Sequence, residues 1–410
     1  MTHVSVTKPT LLCLSHLGWD FVWQRPQHIL SRLAAHFSLI YVNEPNLAAP
    51  GSADYPADGR PYLREVYRDK NVVAWQPIFP NRQEIHAHWR EHYVRLVKSL
   101  LAPGERPILW FYTPTPYYFL DHIPASLVVY DVMDNLAGFK GASADLPERE
   151  AALLARADVV FTGGRSMYLE RQDRHRNIHL FPSGVEPEHF AQAMNRKTPV
   201  APEISRLYQN GRSPQAVLGY YGVIDERIDL CLLCRLAADN PQWAIVMVGP
   251  VAKIDEEQLP RLPNIHYTGR QSYERLPQFL KGFDVCLMPF ALNEATRTIS
   301  PTKTLEYMAA HKPIVSTPIP DVVANWSDVV HLAWDPAAFA TAVSQALCET
   351  PQEHEARIRR EEALLASHTW DHIAAAMHRH LCHALQAKSC RNGAAAAARS
   401  ETTQMLERKP

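Results

Sequence analysis

The chain has 410 residues, too many for one hydrophobic core, so two domains are expected. Its 42 lysines and arginines against 43 aspartates and glutamates leave a formal net charge of -1, which excludes the basic balance of a dedicated nucleic-acid binder. No apolar run approaches a membrane span, residues 1–15 lack the charged start and apolar core of a secretory signal, and seven scattered cysteines fit a reducing cytosol.

Short β-branched or apolar runs at 10–15, 39–43, 71–76, 107–112, 127–130, 159–162 and 178–181 read as buried strands. Amphipathic stretches at 27–35, 85–101 and 147–155 read as the helices between them. This alternation predicts an α/β fold with a mostly parallel, doubly wound sheet. The helix at 85–101 carries Trp89, Tyr93, Leu96 and Leu100 on one side and Arg95 and Lys98 elsewhere. It therefore either packs on its sheet or lies on an anionic bilayer, and peripheral association with the cytoplasmic face of the inner membrane is an expectation. After the turn-forming Pro182-Ser-Gly-Val-Glu186 and a joint at 190–205, the pattern restarts at 217–221, 244–248, 265–268, 285–289, 314–316 and 329–332. The expected organisation is a domain at 1–195, a second at 196–366, a terminal helix at 367–390 and a disordered tail at 391–410. Cys231 and Cys234, inside the apolar stretch 230–238, read as buried core residues. The histidines His368, His372, His378, His380 and His383 read as a solvated helix face rather than a metal site.

Open sheets of this kind bind ligands outside the carboxyl ends of their strands. The loop after the first run holds His16, Gly18, two tryptophans and Arg25, a mixture that suits a sugar ring or merely caps a helix. Asp131 and Asp134 follow the run at 127–130; two carboxylates there suit acid–base work or the holding of hydroxyls, and Asp134 is equally an ordinary N-cap. Gly222 lets the backbone approach a ligand closely, Arg227 is a candidate phosphate contact, and Gly269 ends a run suited to a base or ribose. The chain lacks Gly-x-Gly-x-x-Gly and the P-loop pattern, which argues against a dehydrogenase or a P-loop protein. It also lacks a convincing Asp-x-Asp, so no metal is expected to hold a pyrophosphate.

The most informative segment is Ser300-Pro-Thr-Lys-Thr-Leu-Glu-Tyr-Met-Ala-Ala-His-Lys-Pro313. Ser300 reads as an N-cap with Pro301 at the first helical position. Lys303 then stands in the first turn, where the helix dipole favours anions, and it is tolerable if an anion sits at the helix mouth beside the free N–H groups of Thr302 and Lys303. Glu306, three residues on, faces the same way and is placed to grip vicinal hydroxyls. Phosphate contacts a turn away from a carboxylate suit a sugar nucleotide.

These residues resemble the nucleotide-sugar domain of retaining GT-B glycosyltransferases of family 4, the group 1 glycosyl transferases. The likeness rests on Pro182-Ser-Gly-Val-Glu-Pro-Glu-His-Phe190, 264–269, 284–290 and Leu305-Glu-Tyr-Met-Ala-Ala-His-Lys-Pro-Ile-Val315. Trp23-Gln-Arg-Pro-Gln-His28 and Tyr130-Asp-Val-Met-Asp134 are similar to a bacterial subgroup of teichuronic acid glycosyltransferases. The resemblance implies two Rossmann-like domains facing a cleft, with Glu306 as the second glutamate of the Glu-x7-Glu motif, the one that holds the donor ribose. The first glutamate falls at Thr298, and the phosphate-binding Arg and Lys fall at Val223 and Ile228, so the site departs from the pattern. Lys303, Arg227 and Arg297 are then the expected phosphate contacts, Ser300, Thr302, Gly222, Gly269 and Thr298 further donor contacts, and Asp134 and His16 the groups across the cleft. The implied activity is that of a cytoplasmic, metal-independent hexosyltransferase. Its donor is a nucleoside-diphosphate sugar, UDP favoured, its acceptor a cell-surface polysaccharide or lipid-linked glycan precursor, and no separate cofactor is implied. A catalytically weak GT-B partner protein in a glycan assembly complex and a sugar-nucleotide epimerase are the alternatives.

Overall fold

The computed structural model describes residues 8–139, 141–209 and 213–407, with the side chains of 86 and 392–407 left aside. The first half contributes β1 (Thr10–Leu14), β2 (Ser38–Val42), β3 (Asn46–Ala48), β4 (Tyr62–Asp69), β5 (Val72–Pro80), β6 (Ile108–Phe111), β7 (Leu127–Val132), β8 (Val159–Thr162) and β9 (Ile178–Leu180). They form one sheet in the order β3-β5-β2-β1-β6-β7-β8-β9, all pairs parallel except β4, which pairs antiparallel along most of β5. The second half contributes β10 (Ala216–Tyr221), β11 (Trp243–Val248), β12 (Ile265–Gly269), β13 (Val285–Met288), β14 (Ile314–Ser316) and β15 (Val330–Leu332). Their order, β12-β11-β10-β13-β14-β15, is the doubly wound order of a Rossmann domain, with its reversal beside β10. The central strands are buried along their whole length, as helices on both faces require.

The chain crosses between the halves twice at one place. Val185 donates to the carbonyl of His368 at 2.8 Å and accepts from the N–H of Trp370 at 3.2 Å, so the two connections run side by side. Phe190 and Ala193, ahead of the expected boundary at 195, already pack in the second core. The helix Trp370–Glu407 then returns to the first half, where Trp370, Ile373, Met377 and Leu381 join the core around β1 and β6. The stretch expected as a disordered tail, 391–410, is the one whose side chains from 392 onward, and whose residues 408–410, fall outside the description.

Three expectations change. The helix expected at 85–101 is two, Gln83–Ala87 and Trp89–Lys98, broken at His88, and its apolar side packs on the first sheet through Tyr93, Val94 and Val97 instead of lying on a bilayer. Cys231 and Cys234 are exposed, because the helix Leu230–Asp239 buries Leu232, Leu233, Leu236 and Ala237 on its other face. The expected solvated histidine face is partly an interface: His378 stacks on His36 at 3.8 Å between ring centroids, and His380 meets His179 at 3.8 Å. Among the described residues no helix is long and apolar enough to cross a membrane.

Candidate active site

The carboxyl ends of the two sheets face a cleft of about 730 Å³. Its floor is the second domain. Lys303, Glu306, Ser300, Thr302, Gly222 and Arg227 all line it, and the first domain supplies Asp134 together with Trp19, Trp23 and Arg25.

Lys303 opens the helix Lys303–Ala309. The expected cap is corrected here: Thr302, not Ser300, is the N-cap residue, because Pro301 accepts from the N–H of Thr304 in a tight turn that lies before the helix. The Lys303 ammonium has no hydrogen bond or ion pair among the described residues; it stands 5.4 Å from the ring centre of Tyr220 and 5.3 Å from that of Phe290. Burial, and then the neighbouring guanidinium of Arg227, bring its pKa down to about 8, while Glu306 and Asp225 oppose the fall. Glu306 shifts the other way. Burial raises its carboxyl to about 7 against the pull of Tyr221 and Lys303, and Glu186 adds to the rise. A cation and a carboxylate both held near neutrality in one cleft mark a site built for a ligand rather than for stability.

Space for that ligand comes from glycine. At Gly222, with φ +137, a Cβ would stand 2.9 Å from the Tyr220 hydroxyl and 3.2 Å from Lys303 Cε. At Gly249, with φ +143, a Cβ would fall 1.9 Å from the carbonyl oxygen of Gly222. The ends of β10 and β11 therefore touch backbone to backbone below the cleft. Arg227 is less free than expected, since its guanidinium chelates Asp225 with contacts of 2.7 to 3.1 Å.

Across the cleft, His16 Nε2 lies 3.9 Å from Asp134 Oδ2, and His16 Nδ1 is buried without a partner. Burial resists ionisation of Asp134, but His16, with Arg227 and Lys253 behind it, outweighs that and holds the carboxyl below the usual range. Asp131 does not join this pair. It is fully buried and bound by Arg25, whose Nη2 is 2.9 Å away and whose other arm reaches the carbonyl of Phe181 at 2.8 Å. Arg25 and Asp131 thus fix the loop to the sheet; a buried charge pair of this kind is a structural clamp.

Three expected donor contacts lie elsewhere. Thr298 is 1 % exposed with an unpartnered hydroxyl and does not reach the cleft. Arg297 is on the outside, bound to Glu294 at 3.0 Å and to Glu170 of the first domain. Gly269 has φ +70 at the end of β12 but is not part of the cleft wall, which continues with Arg270 to Glu274. Sequence reasoning missed Glu186 and Tyr273. The Tyr273 hydroxyl donates to Glu186 Oε2 at 2.9 Å, and Glu186 Oε1 accepts from Arg32 at 2.9 Å, so one carboxylate at the crossover ties both domains together beside Glu306. Gly249 was missed too, although a glycine directly after a strand is the same signal that marked Gly222.

Two Rossmann-like domains with a nucleotide-type cleft at the strand ends define a GT-B protein. Residues 219–349 match the family model of the group 1 glycosyl transferases. The chain is 27 % identical over 281 residues to the putative teichuronic acid biosynthesis glycosyltransferase TuaH of Bacillus subtilis (strain 168), which covers 64 % of this chain and 69 % of that one. Among solved structures it resembles the E. coli trehalose-6-phosphate protein bound with UDP-2-fluoro glucose, with TM-score 0.67 and 12 % identity over 92 % of this chain and 99 % of the other. It also resembles the UDP-forming α,α-trehalose-phosphate synthase of Burkholderia vietnamiensis, with TM-score 0.64 and 14 % identity over 90 % and 96 %. The chain thus has the GT-B fold, and its residues 219–349 are similar to the group 1 glycosyl transferases.

Proposed function

We propose that the protein transfers a hexosyl group from a nucleoside-diphosphate sugar, with UDP the favoured carrier, to a cell-surface polysaccharide or lipid-linked glycan precursor. One observation carries the reading: Lys303 and Glu306 stand a turn apart in the cleft floor, the lysine without an ion pair among the described residues. A diphosphate supplies the anion, and the ribose hydroxyls supply donors for Glu306. UDP in the bound sugar nucleotide of one structural neighbour, and the UDP-forming activity of another, support the choice of carrier.

In the reaction, the bond from the anomeric carbon to the diphosphate oxygen breaks and the acceptor oxygen bonds to that carbon. Lys303, backed by Arg227, stabilises the charge that grows on the departing diphosphate. Asp134 holds sugar or acceptor hydroxyls as a carboxylate, and His16 takes the acceptor proton. Retention at the anomeric carbon is part of the proposal on family grounds, as is work at the cytoplasmic face of the membrane. The cationic side chains supply the charge a metal would otherwise supply, so a chelator is expected to leave turnover unchanged.

The test is thermal unfolding of the protein with UDP-, GDP- and dTDP-sugars, followed by an assay of sugar transfer. Binding raises the midpoint by mass action, and UDP-sugars are expected to raise it most. No shift with any nucleotide sugar sinks the proposal.

A further inference from the structure

A second cavity, of about 270 Å³, opens in the first domain at the carboxyl ends of β1, β2, β5 and β6. It has a different character from the cleft. Leu47, Phe79, Ile85, Trp89 and Pro116 make most of its wall. Two of its hydroxyls are already engaged: Ser15 accepts from the N–H of Leu17 at 3.0 Å, and Thr113 accepts from the N–H of Thr115 at 3.3 Å. Trp89, which the sequence offered to a bilayer, instead stands edge-on to Phe79 at 6.4 Å, within the cavity wall. Leu47 is 54 % exposed, among the few large apolar side chains left in solvent.

The position matters as much as the lining. Ser15 immediately precedes His16, so the cavity begins one residue from the His16–Asp134 pair. Glu44, also in the wall, follows β2 in the same layer of strand-end loops as Ser15. A group held there sits beside the first-domain side of the reaction site. Its volume is below that of a typical drug-sized pocket, which suits a ring or a short chain rather than a whole lipid. An anionic group meets the Glu44 carboxylate.

We infer that this cavity receives a compact, uncharged apolar group of the acceptor, an aryl ring or a short alkyl or prenyl segment, and so presents the acceptor hydroxyl to His16 and Asp134. The inference rests on the proposed transfer reaction. It makes the acceptor a molecule with a hydrophobic substituent close to the hydroxyl that is glycosylated, and not a bare sugar.

The experiment uses the full chain carrying 5-fluorotryptophan, with the Trp89 signal assigned from Trp89→Phe. Benzyl alcohol and hexanol, the aryl and alkyl probes, are titrated against glycerol, the polar control. The Trp89 resonance is expected to move with one or both apolar probes and not with glycerol, and whichever moves it more names the source. Leu47→Asp and Ile85→Asp are expected to weaken that titration about tenfold, while the midpoint shift caused by a UDP-sugar stays as in the parent. Benzyl alcohol is also expected to speed donor consumption more than glycerol does, an advantage lost in Leu47→Asp. An unmoved Trp89 signal, or titrations identical in parent and variants, overturns the inference. If nucleotide binding persists in that case, the cavity assignment alone has failed; if nucleotide binding is absent while Trp89 responds, the transfer reading fails and the acceptor role falls with it.

Discussion

Gly222 leaves room for Lys303: a Cβ on residue 222 would stand 3.2 Å from Lys303 Cε and 3.4 Å from its Nζ. The strand end and the helix start are thus fitted to one another, and the space a side chain would take at 222 is the space the lysine uses. Gly222→Ala meets two penalties, a φ of +137 that alanine avoids and displacement of the ammonium. We expect Tm to fall by a few degrees and the affinity for nucleotide sugar to fall about tenfold or more, read by calorimetry. Unchanged affinity in a folded Gly222→Ala protein shows that the lysine does not contact the donor.

Lys303→Met separates catalysis from folding. An ammonium beside Arg227, between the rings of Tyr220 and Phe290 and with no hydrogen bond or ion pair among the described residues, costs stability when no ligand is bound. The expected outcome is a Tm equal to or about 2 °C above the parent, with kcat/KM down roughly a hundredfold. A variant that keeps full turnover removes the phosphate role from Lys303.

The pH response follows from the same pair. The Glu306 carboxyl is held at about 7, above its ordinary 4.5, so the folded chain keeps that proton more tightly than the unfolded chain; its contribution to stability is present below 4.5 and lost as pH rises through 7. Lys303 is held at about 8, below its ordinary 10.5, so its contribution is present above 10.5 and lost as pH falls through 8. Donor binding needs the opposite of what stability prefers, an ionised Glu306 and a charged Lys303. Affinity for a nucleotide sugar should therefore peak between about 7 and 8 and fall on both sides, measured by calorimetry from about pH 6 to about 9.5. In Glu306→Gln the acid limb should vanish and the alkaline limb remain.

Much of this was legible because buried parallel strands announce themselves. The runs at 127–130, 159–162 and 314–316 contain little but apolar and β-branched residues, and strands of that kind were found at each place. Strand β4 was not legible, since Tyr62–Asp69 is mostly exposed and carries Arg64, Glu65, Arg68 and Asp69; only its pairing with β5 makes it a strand. Lys303 and Glu306 could be found because both signals are local, a charge against the helix dipole and a spacing of three. Arg25–Asp131 and Glu186–Tyr273 join residues 106 and 87 positions apart, and no local pattern says that Asp131 is consumed by an arginine before it can reach a substrate. The exposed cysteines have the same origin: the apolar run around 231–237 allows more than one buried face, and the neighbouring elements choose.

Asp321 bridges the two domains. Its carboxylate, from the second domain, accepts from the backbone N–H groups of Arg165 and Ser166 at 2.9 Å each and from the Ser166 hydroxyl, at the start of a first-domain helix. Removing it takes the acceptor from three donors across the boundary, two N–H groups and a hydroxyl. Asp321→Ala is expected to enlarge the radius of gyration in small-angle scattering without nucleotide and to lower kcat/KM about tenfold. An unchanged scattering curve means that other contacts, such as Arg297 with Glu170, hold the domains on their own.

The terminal helix should make the protein sensitive to mild acid. Burial and the nearby His380 and His175 bring His179 down to about 4, and burial with His36 lowers His378. Burial first, and then Arg32 and His189, take His28 down to about 2; its Nδ1 accepts from the indole of Trp23 at 3.1 Å and its ring stacks on Trp370, the first residue of that helix. His28 and His179 are neutral in the folded chain above about 4 and take up a proton on unfolding near the ordinary 6.5, and His378 shifts in the same direction. Their stabilisation is therefore complete above 6.5 and is lost as pH falls from there towards 4. Lys388 with Asp158, at 2.6 Å, ties the far end of the contact. Thermal unfolding between about pH 7.5 and about pH 5 should show a falling midpoint, and the double variant His179→Phe with His380→Phe should flatten the lower part of that slope. If the slope is the same in the variant, the histidine pair is not what couples the helix to acid.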